Sequence, residues 1–198
     1  MHIKLEDLLK EHKGKIISGQ ITRRITAKEG ADYVTTAQVL LPKAMANGCI
    51  DHELLAEEKL TAFPDEERLT KEGDIVIKLS TPYDSVIVTK EDEGILVTSF
   101  CAIIRGLDNT TAKYLIAYLN SSEFNALAKA STSGSIVIVI ALSFLKQCLI
   151  PLPPLAEIER IGSEYSKLLE MKRTFDEVYS LSRKKLDLTI TKISKEAK

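Results

Sequence analysis

The chain contains no tryptophan, only three histidines and three cysteines, and its 27 Lys/Arg and 28 Asp/Glu leave a net charge of −1. Each shortage closes off a class of function. His2, His12 and His52 are scattered, and His52-Glu53 lacks the second histidine of an HExxH site, so no metal centre is expected. Cys49, Cys101 and Cys148 are odd in number and form no CxxC pair. They read as buried free thiols in a reducing compartment. A near-zero net charge offers no global basic excess for nucleic acid, so any such binding must rest on local clusters. Long apolar runs are missing too. Ile136 to Leu142 is the most apolar stretch and is too short for a membrane span. The N-terminus, charged from Lys4 onward, does not resemble a signal peptide. A cytoplasmic protein with no membrane association is expected.

What is present supports a folded unit. Hydrophobic residues make up 44% of the chain and charged residues 28%, enough for a core and unlike a disordered composition. The 198 residues suit one domain with an appendage. That appendage begins at Leu149 to Ile161, LIPLPPLAEIERI. Pro151, Pro153 and Pro154 fix φ and push the residues before them toward extended geometry, so the chain leaves the domain as a stiff strap. Pro154 then suits the start of a helix. From Leu155 to about Ser194 there is no further proline, and Gly162 is the only glycine.

This run reads as a rod. Ile158, Ile161, Tyr165, Leu168, Phe175, Tyr179, Leu186, Ile190 and Ile193 recur at steps of three, four and seven, the seam of a coiled coil. Lys172 occupies a seam position, where a polar residue selects register or partner at a cost in stability. A helix of this length reaches about 58 Å at about 1.5 Å per residue, longer than the domain is wide. The first two turns can fold back on the domain, but the rest of the stripe needs a partner helix. The expected division is a globular domain over 1–150 and a strap with a spacer helix over 151–198.

Within 1–150 the pattern is α+β: a small curved or mixed sheet with flanking helices. Met1 to Glu11 suits a short helix, Gly14 to Gln20 a strand and turn, and Tyr33 to Leu41 a strand. Leu55 to Thr61 reads as a charged, irregular loop. Gly73-Asp74 is a turn before a buried strand at Ile75 to Ile77, and Ser80 to Tyr83 is a loop. Val86 to Thr89 begins a strand, and Gly94 to Arg105 reads as one apolar strand. Asn109 to Leu127 is helical with an interruption at Asn120 to Ser122. Ser131 to Ser135 reads as a loop, Ile136 to Ile140 as a strand, and Ser143 to Gln147 as a short turn.

Charge is uneven along this map. Residues 1–30 hold seven Lys/Arg against four Asp/Glu, whereas residues 31–100 hold six against fourteen. A DNA-facing surface can be assembled from Lys15, Arg23, Arg24, Lys78, Arg105 and Lys129 if the fold brings them together. Clustered cations suffice for phosphates, while base reading needs polar and aromatic side chains on loops. Ser80, Thr81 and Tyr83 on one loop, and Ser133 and Ser135 on another, have that chemistry. Taken singly, each loop also reads as a plain solvated turn.

Several segments together resemble the specificity subunit of type I restriction–modification systems. Ile3 to Asp7 with Gly19 downstream resembles the opening helix and turn of a target recognition domain. Lys71 to Ile77 resembles its "(x)GDI(L/V)" strand. Thr98 to Arg105 followed by Tyr114 to Ser121 resembles the strand and "YL…YLxS" helix behind it. Leu149 to Glu157 resembles the "iPlPPLxEQ" start of the spacer helix. The last two are the most specific, and in this order the segments cover nearly the whole chain. Ile158 stands where the family usually has Gln, and Ser133-Gly134-Ser135 is only loosely like the family's glycine-containing turn.

The resemblance implies one recognition domain and one spacer helix, where full subunits carry two of each. Two copies pairing their helices antiparallel would restore that arrangement on an inverted-repeat, bipartite target. It implies double-stranded DNA and a DNA methyltransferase (modification) subunit as partners, with a restriction/translocase subunit where one exists. S-adenosylmethionine would belong to the methyltransferase, with no cofactor in this chain. The residues agree that the chain is not itself an enzyme. It has no glycine-rich cofactor loop after a strand and no P-loop, and Pro153-Pro154 follows Leu152 rather than an acid or amide. Asp74 suits a turn better than a nuclease site. Ser133 and Cys101 lack an evident His-plus-acid arrangement. The rival reading is a coiled-coil interaction module whose head does not bind DNA.

Overall fold

Alternation of apolar residues places one sheet at the centre of the molecule. The computed structural model describes residues 1–132 and 139–196. Its strands are β1 (His2–Lys4), β2 (Lys15–Ser18), β3 (Thr35–Leu40), β4 (Met45–Ala46), β5 (Cys49–Ile50), β6 (Ala56–Leu60), β7 (Ile75–Lys78), β8 (Ser85–Ile87), β9 (Leu96–Val97), β10 (Cys101–Arg105) and β11 (Leu149–Pro151). Its helices are α1 (Leu5–Glu11), α2 (Asn109–Leu119), α3 (Ser122–Ser131), α4 (Leu142–Gln147) and α5 (Leu155–Glu196).

The central sheet has the order β2-β10-β7-β8, and each of its pairs is antiparallel. Both faces are covered. Ile75, Ile77, Ala102 and Ile104 pack with α1, α2 and α3 through Leu5, Leu8, Leu115, Leu119 and Phe124. The alternate residues Val76, Cys101 and Ile103 pack on the other side with Leu40, Met45 and Val97. This two-residue period explains the continuous apolar runs of β7 and β10, since a strand covered on both faces has no polar side. A second sheet, β6-β3-β9, supplies the cover opposite the helices. The architecture is α+β with mixed strand pairing, as expected.

Four expectations need correction. Residues 2–4 form a strand rather than the first helical turn, because they pair with β11. Residues 56–60 form an edge strand, not a loop: pairing to β3 buries Leu60 while Glu57 and Lys59 face solvent. An edge with charged residues on its open side is a normal way to end a sheet. The expected single strand over 94–105 is two. β9 joins β3 in parallel and β10 joins the central sheet, with Thr98 to Phe100 stepping between layers. Residues 142–147 form a helix rather than a turn. The expected strand over 136–140 lies largely outside the described residues.

Two helix starts follow capping chemistry. Asp108 accepts from the Thr110 and Thr111 N–H groups, and Ser121 from the Phe124 N–H. Asn120 ends α2 at the interruption the sequence marks.

Candidate nucleic-acid interface

The strand register collects the candidate loops along one end of the central sheet. Ser18 at the end of β2 lies opposite Ala102, Cys101 at the start of β10 opposite Lys78, and Ile77 opposite Ser85. The connections after β2, before β10 and between β7 and β8 therefore emerge side by side. They are stitched together: Ser99 N–H donates to the Gln20 carbonyl at 2.8 Å, and Leu79 N–H to the Phe100 carbonyl at 2.9 Å. Ser80 bridges to Val139, and the Tyr83 hydroxyl lies 3.3 Å from the Thr132 hydroxyl. The Ser80–Tyr83 loop thus meets Thr132 and Val139, the described residues on either side of 133–138.

Among the predicted cations, Arg23 and Arg24 are at this end. Both are exposed on the short turn Thr22–Arg24, and their guanidinium groups have no hydrogen bond or ion pair among the described residues. Lys129, in the last turn of α3, is exposed, and its carbonyl accepts from Thr132 Oγ1. Ser80 is half-buried and Thr81 exposed. Ser133 and Ser135 lie outside the described residues.

The other predicted contacts are built into the domain. Lys78 is buried, with its side chain 9% exposed, and its Nζ meets Asp84 at 2.7 Å. Burying that ammonium is tolerable only because the carboxylate accompanies it. Tyr83 is 1% exposed and belongs to the core. Arg105 and Lys15 lie opposite one another at the far end of the sheet. Arg105 forks onto Asp74 at 2.6 and 2.8 Å and also donates to the Glu67 and Leu69 carbonyls, while Lys15 pairs with Glu67. Asp74 accepts from the Lys71 N–H as well, closing the turn at Gly73. Arg105 and Asp74 therefore form a structural latch.

Sequence reasoning missed four residues at the loop end: Gln20, Arg68, Ser99 and Phe100. A cleft of about 550 Å³ is lined by Ser18, Gln20, Arg24, Asp65, Arg68 and Ser99. Arg68 donates to the Gly19 carbonyl at 3.0 Å and to Asp65. Hydrogen bonding from the Glu67 N–H, then from Arg68, holds Asp65 below the ordinary carboxylate range, so the cleft keeps an ionised acid. Phe100 is 60% exposed beside it. Gly19 was the available signal. A Cβ there would fall 2.0 Å from the Thr98 carbonyl oxygen, so only glycine allows the two loops to approach.

At the other side of the domain, the two most specific sequence motifs touch. The Tyr114 and Tyr118 hydroxyls of α2 donate to the Pro151 and Leu149 carbonyls at 2.5 and 3.4 Å. The strap is thus β11, paired with β1 and pinned by α2, not a free-standing connector. α5 begins at Leu155 and runs 42 residues, about 63 Å at about 1.5 Å per residue. Gly162 lets it cross α2 closely, since a Cβ would meet Lys113 Cβ at 3.0 Å.

The seam divides in two. Ile158 is buried, and Ile161 and Tyr165 pack against the domain core, so these three serve the chain's own fold. Leu169, absent from the predicted seam, is also buried, with Gly48 of the β4–β5 hairpin against it. Arg173 Nε reaches Cys49 Sγ at 3.3 Å from the same helix face. Lys172 is half-buried and pairs with Asp176. On another face of the helix Leu168, Met171, Phe175, Val178, Tyr179, Leu186, Ile190 and Ile193 are each more than half exposed. Phe175 and Tyr179 stack on the helix surface at 6.4 Å.

Among the described residues no group of three or more His, Cys, Asp or Glu is arranged to hold a metal ion. No described helix is long and apolar enough to cross a membrane.

No protein-family model matches the sequence, and no curated protein matches it. Solved structures do. The HsdS subunit from Thermoanaerobacter tengcongensis superposes with a TM-score of 0.55 at 15% identity, over 90% of this chain and 39% of that one. A chain from a structure described as the basis of complex assembly and conformational transition of the type I R-M system superposes with a TM-score of 0.56 at 18% identity. That match covers 88% of this chain and 47% of the other. The chain spans under half the length of both. Its fold, from the latched domain through the proline strap to the long helix, is that found in part of the type I restriction–modification specificity subunits.

Proposed function

We propose that this chain is a DNA-specificity subunit that reads one half-site and docks a DNA methyltransferase (modification) subunit of a type I restriction–modification system. The observation that carries this reading is the loop-bearing end of the central sheet, with Arg23 and Arg24 exposed and unpaired among the described residues. Clustered, unpaired guanidinium groups beside polar loops suit a phosphate backbone and base edges. The fold shared with HsdS subunits supports it. The chain itself is non-catalytic on this reading. S-adenosylmethionine and the methyl transfer belong to the partner, with a restriction/translocase subunit joining where the system has one. The work is done in the cytoplasm. Residues 1–150 read DNA, and 151–198 set the reach to a second recognition domain.

The exposed stripe of α5 is assigned to a second copy. Leu168, Phe175, Ser182 and Thr189 alternate with Lys172, Tyr179, Leu186 and Ile193 at heptad spacing. An antiparallel pair centred between residues 180 and 181 brings all eight positions into register. Leu168 then meets the partner's Ile193, Phe175 the partner's Leu186, Tyr179 the partner's Ser182 and Lys172 the partner's Thr189. Asp176 flanks the seam opposite the partner's Arg183, which supplies charge complementarity at both ends of the pair. A parallel pair would set Lys172 against itself and crowd two domains at one end. The antiparallel form places identical recognition surfaces at opposite ends, which suits an inverted-repeat target.

Two measurements test the reading. Light scattering at micromolar concentration should give a dimer, and a strict monomer counts against the assigned stripe. A mobility shift on duplex DNA should weaken steeply between about 50 and about 200 mM salt. Absence of binding at the low end, with and without the modification subunit, would favour an interaction module that does not read DNA.

A further inference from the structure

We propose that the Gln20–Arg24 turn, with Phe100, is the base-reading element of this chain: Arg24 takes a guanine edge, Phe100 a thymine methyl, and Arg23 a phosphate. This rests on the DNA-binding reading above and goes beyond it by dividing roles among residues.

The first observation is rigidity. The turn is anchored at both ends: Gly19 N–H to the Cys101 carbonyl at 3.0 Å, Gln20 N–H to the Val97 carbonyl at 2.8 Å and Ser99 N–H to the Gln20 carbonyl at 2.8 Å at its start, and Thr61 N–H to the Ile25 carbonyl at 2.7 Å just past its end. Arg68 holds the Gly19 carbonyl from the cleft side. Groups that discriminate bases must be held in place before the ligand arrives, or ordering them costs affinity. This turn meets that need, while Arg23 and Arg24 project from it without partners among the described residues.

The second observation separates the two arginines. Arg24 lines the cleft and Arg23 does not. They are neighbours on a 3-10 turn, where successive side chains point about 120° apart. Inside the cleft, Asp65 accepts from the Glu67 N–H and from Arg68 Nε, both at 3.0 Å. The cleft thus pairs its acid with a cation, and this mixed polar lining suits a hydrogen-bonding base edge. Gln20 Oε1 accepts from the Asp65 N–H at 3.0 Å, which leaves the amide nitrogen of Gln20 as its outward group. Among base edges, a guanidinium fork fits guanine O6 and N7 best. Arg23, directed elsewhere, makes no ion pair among the described residues and suits a phosphate.

The third observation is Phe100. The Phe100 ring is 60% exposed between the Gln20 turn and the Ser80 loop, whose backbones Ser99 and Phe100 join. Apolar contact with the 5-methyl of thymine is the base-specific use of such a ring in the major groove.

The test is selection from a randomised duplex DNA library by the purified full-length chain at low salt. The wild type is compared with R23A, R24A, R24K and F100A. The wild-type consensus should contain a guanine whose preference, about tenfold or more, is lost in both R24A and R24K, since lysine keeps the charge but not the fork. F100A should lose a thymine preference, and replacing that thymine by uracil in the wild-type site should have the same effect. R23A should keep the consensus, bind every sequence more weakly and lower the salt slope by about one. A wild-type consensus unchanged in R24A and F100A would overturn the assignment and leave the DNA-binding reading standing. No enrichment by the wild type, alone and together with its modification subunit, would overturn both.

Discussion

Asn120 and Tyr165 join the domain to its rod. The Asn120 amide donates to the Tyr165 hydroxyl at 2.8 Å and to the Ser85 carbonyl at 2.9 Å, and its oxygen accepts from the Ser85 N–H at 2.8 Å. One side chain at the end of α2 thus connects β8 to α5. Replacing Asn120 with Ala leaves the buried Ser85 N–H unpaired, at a cost of about 1–3 kcal/mol. Tyr165→Phe removes only the last bond and should cost about 0.5–1.5 kcal/mol. Urea denaturation of both variants checks the order; equal effects would mean that Asn120 acts only through the helix.

Lys78 and Arg105 should behave as structural residues and Arg23 should not. Arg105→Ala leaves Asp74, itself 2% exposed, as an uncompensated buried charge and should destabilise by about 3–5 kcal/mol. Lys78→Ala should also lower the denaturation midpoint, because Asp84 loses its partner. Arg23→Ala should stay within about 0.5 kcal/mol of the wild type. Thermal unfolding of the three variants separates them, and a stable Arg105→Ala protein would contradict the latch.

The three thiols should differ in reactivity. Burial pushes the Cys101 thiol up to about 12 and the Cys148 thiol to about 11, so neither forms a useful fraction of thiolate near neutral pH. Cys49 is half-buried beside Arg173. Maleimide labelling of the native protein, read by mass spectrometry, should modify Cys49 alone, and all three after denaturation. Rapid native labelling of Cys101 would mean that the central sheet opens readily.

The register of the helix pair is open to cross-linking. Phe175→Cys together with Leu186→Cys should form an intermolecular disulfide under mild oxidation, because an antiparallel pair brings these positions face to face. Phe175→Cys alone should not. A disulfide in the single variant would indicate a parallel pair. Phe175→Glu should give monomers by light scattering without altering the unfolding of the domain, since Phe175 is 66% exposed and its ring stacks on Tyr179 of the same helix.

Much of the fold was legible because it rests on local chemistry. The apolar runs of β7 and β10, the interruption at Asn120 to Ser122 and the prolines before α5 act over a few residues. What escaped depends on distant partners. The strand character of residues 56–60 comes from β3, and the break at Thr98 to Phe100 from a change of layer. The candidate site divided in the same way. Lys78 and Arg105 look like any surface cations until the fold sets Asp84 and Asp74 beside them. Arg23 and Arg24 have no such neighbour among the described residues and kept the exposure expected of them. Gln20 carries no motif and Phe100 lies in a segment read only as a strand, and the loop stitching at Gly19 sets Gln20 in the cleft and Phe100 beside it.

The central claim is that two copies of this chain choose where a methyltransferase acts. Mapping adenine methylation in cells that express the chain with its modification subunit tests it most directly. The account predicts new methylation at one bipartite sequence, with two identical inverted half-sites separated by a spacer of fixed length and free sequence. No new methylation, or an asymmetric target with unlike halves, would contradict it.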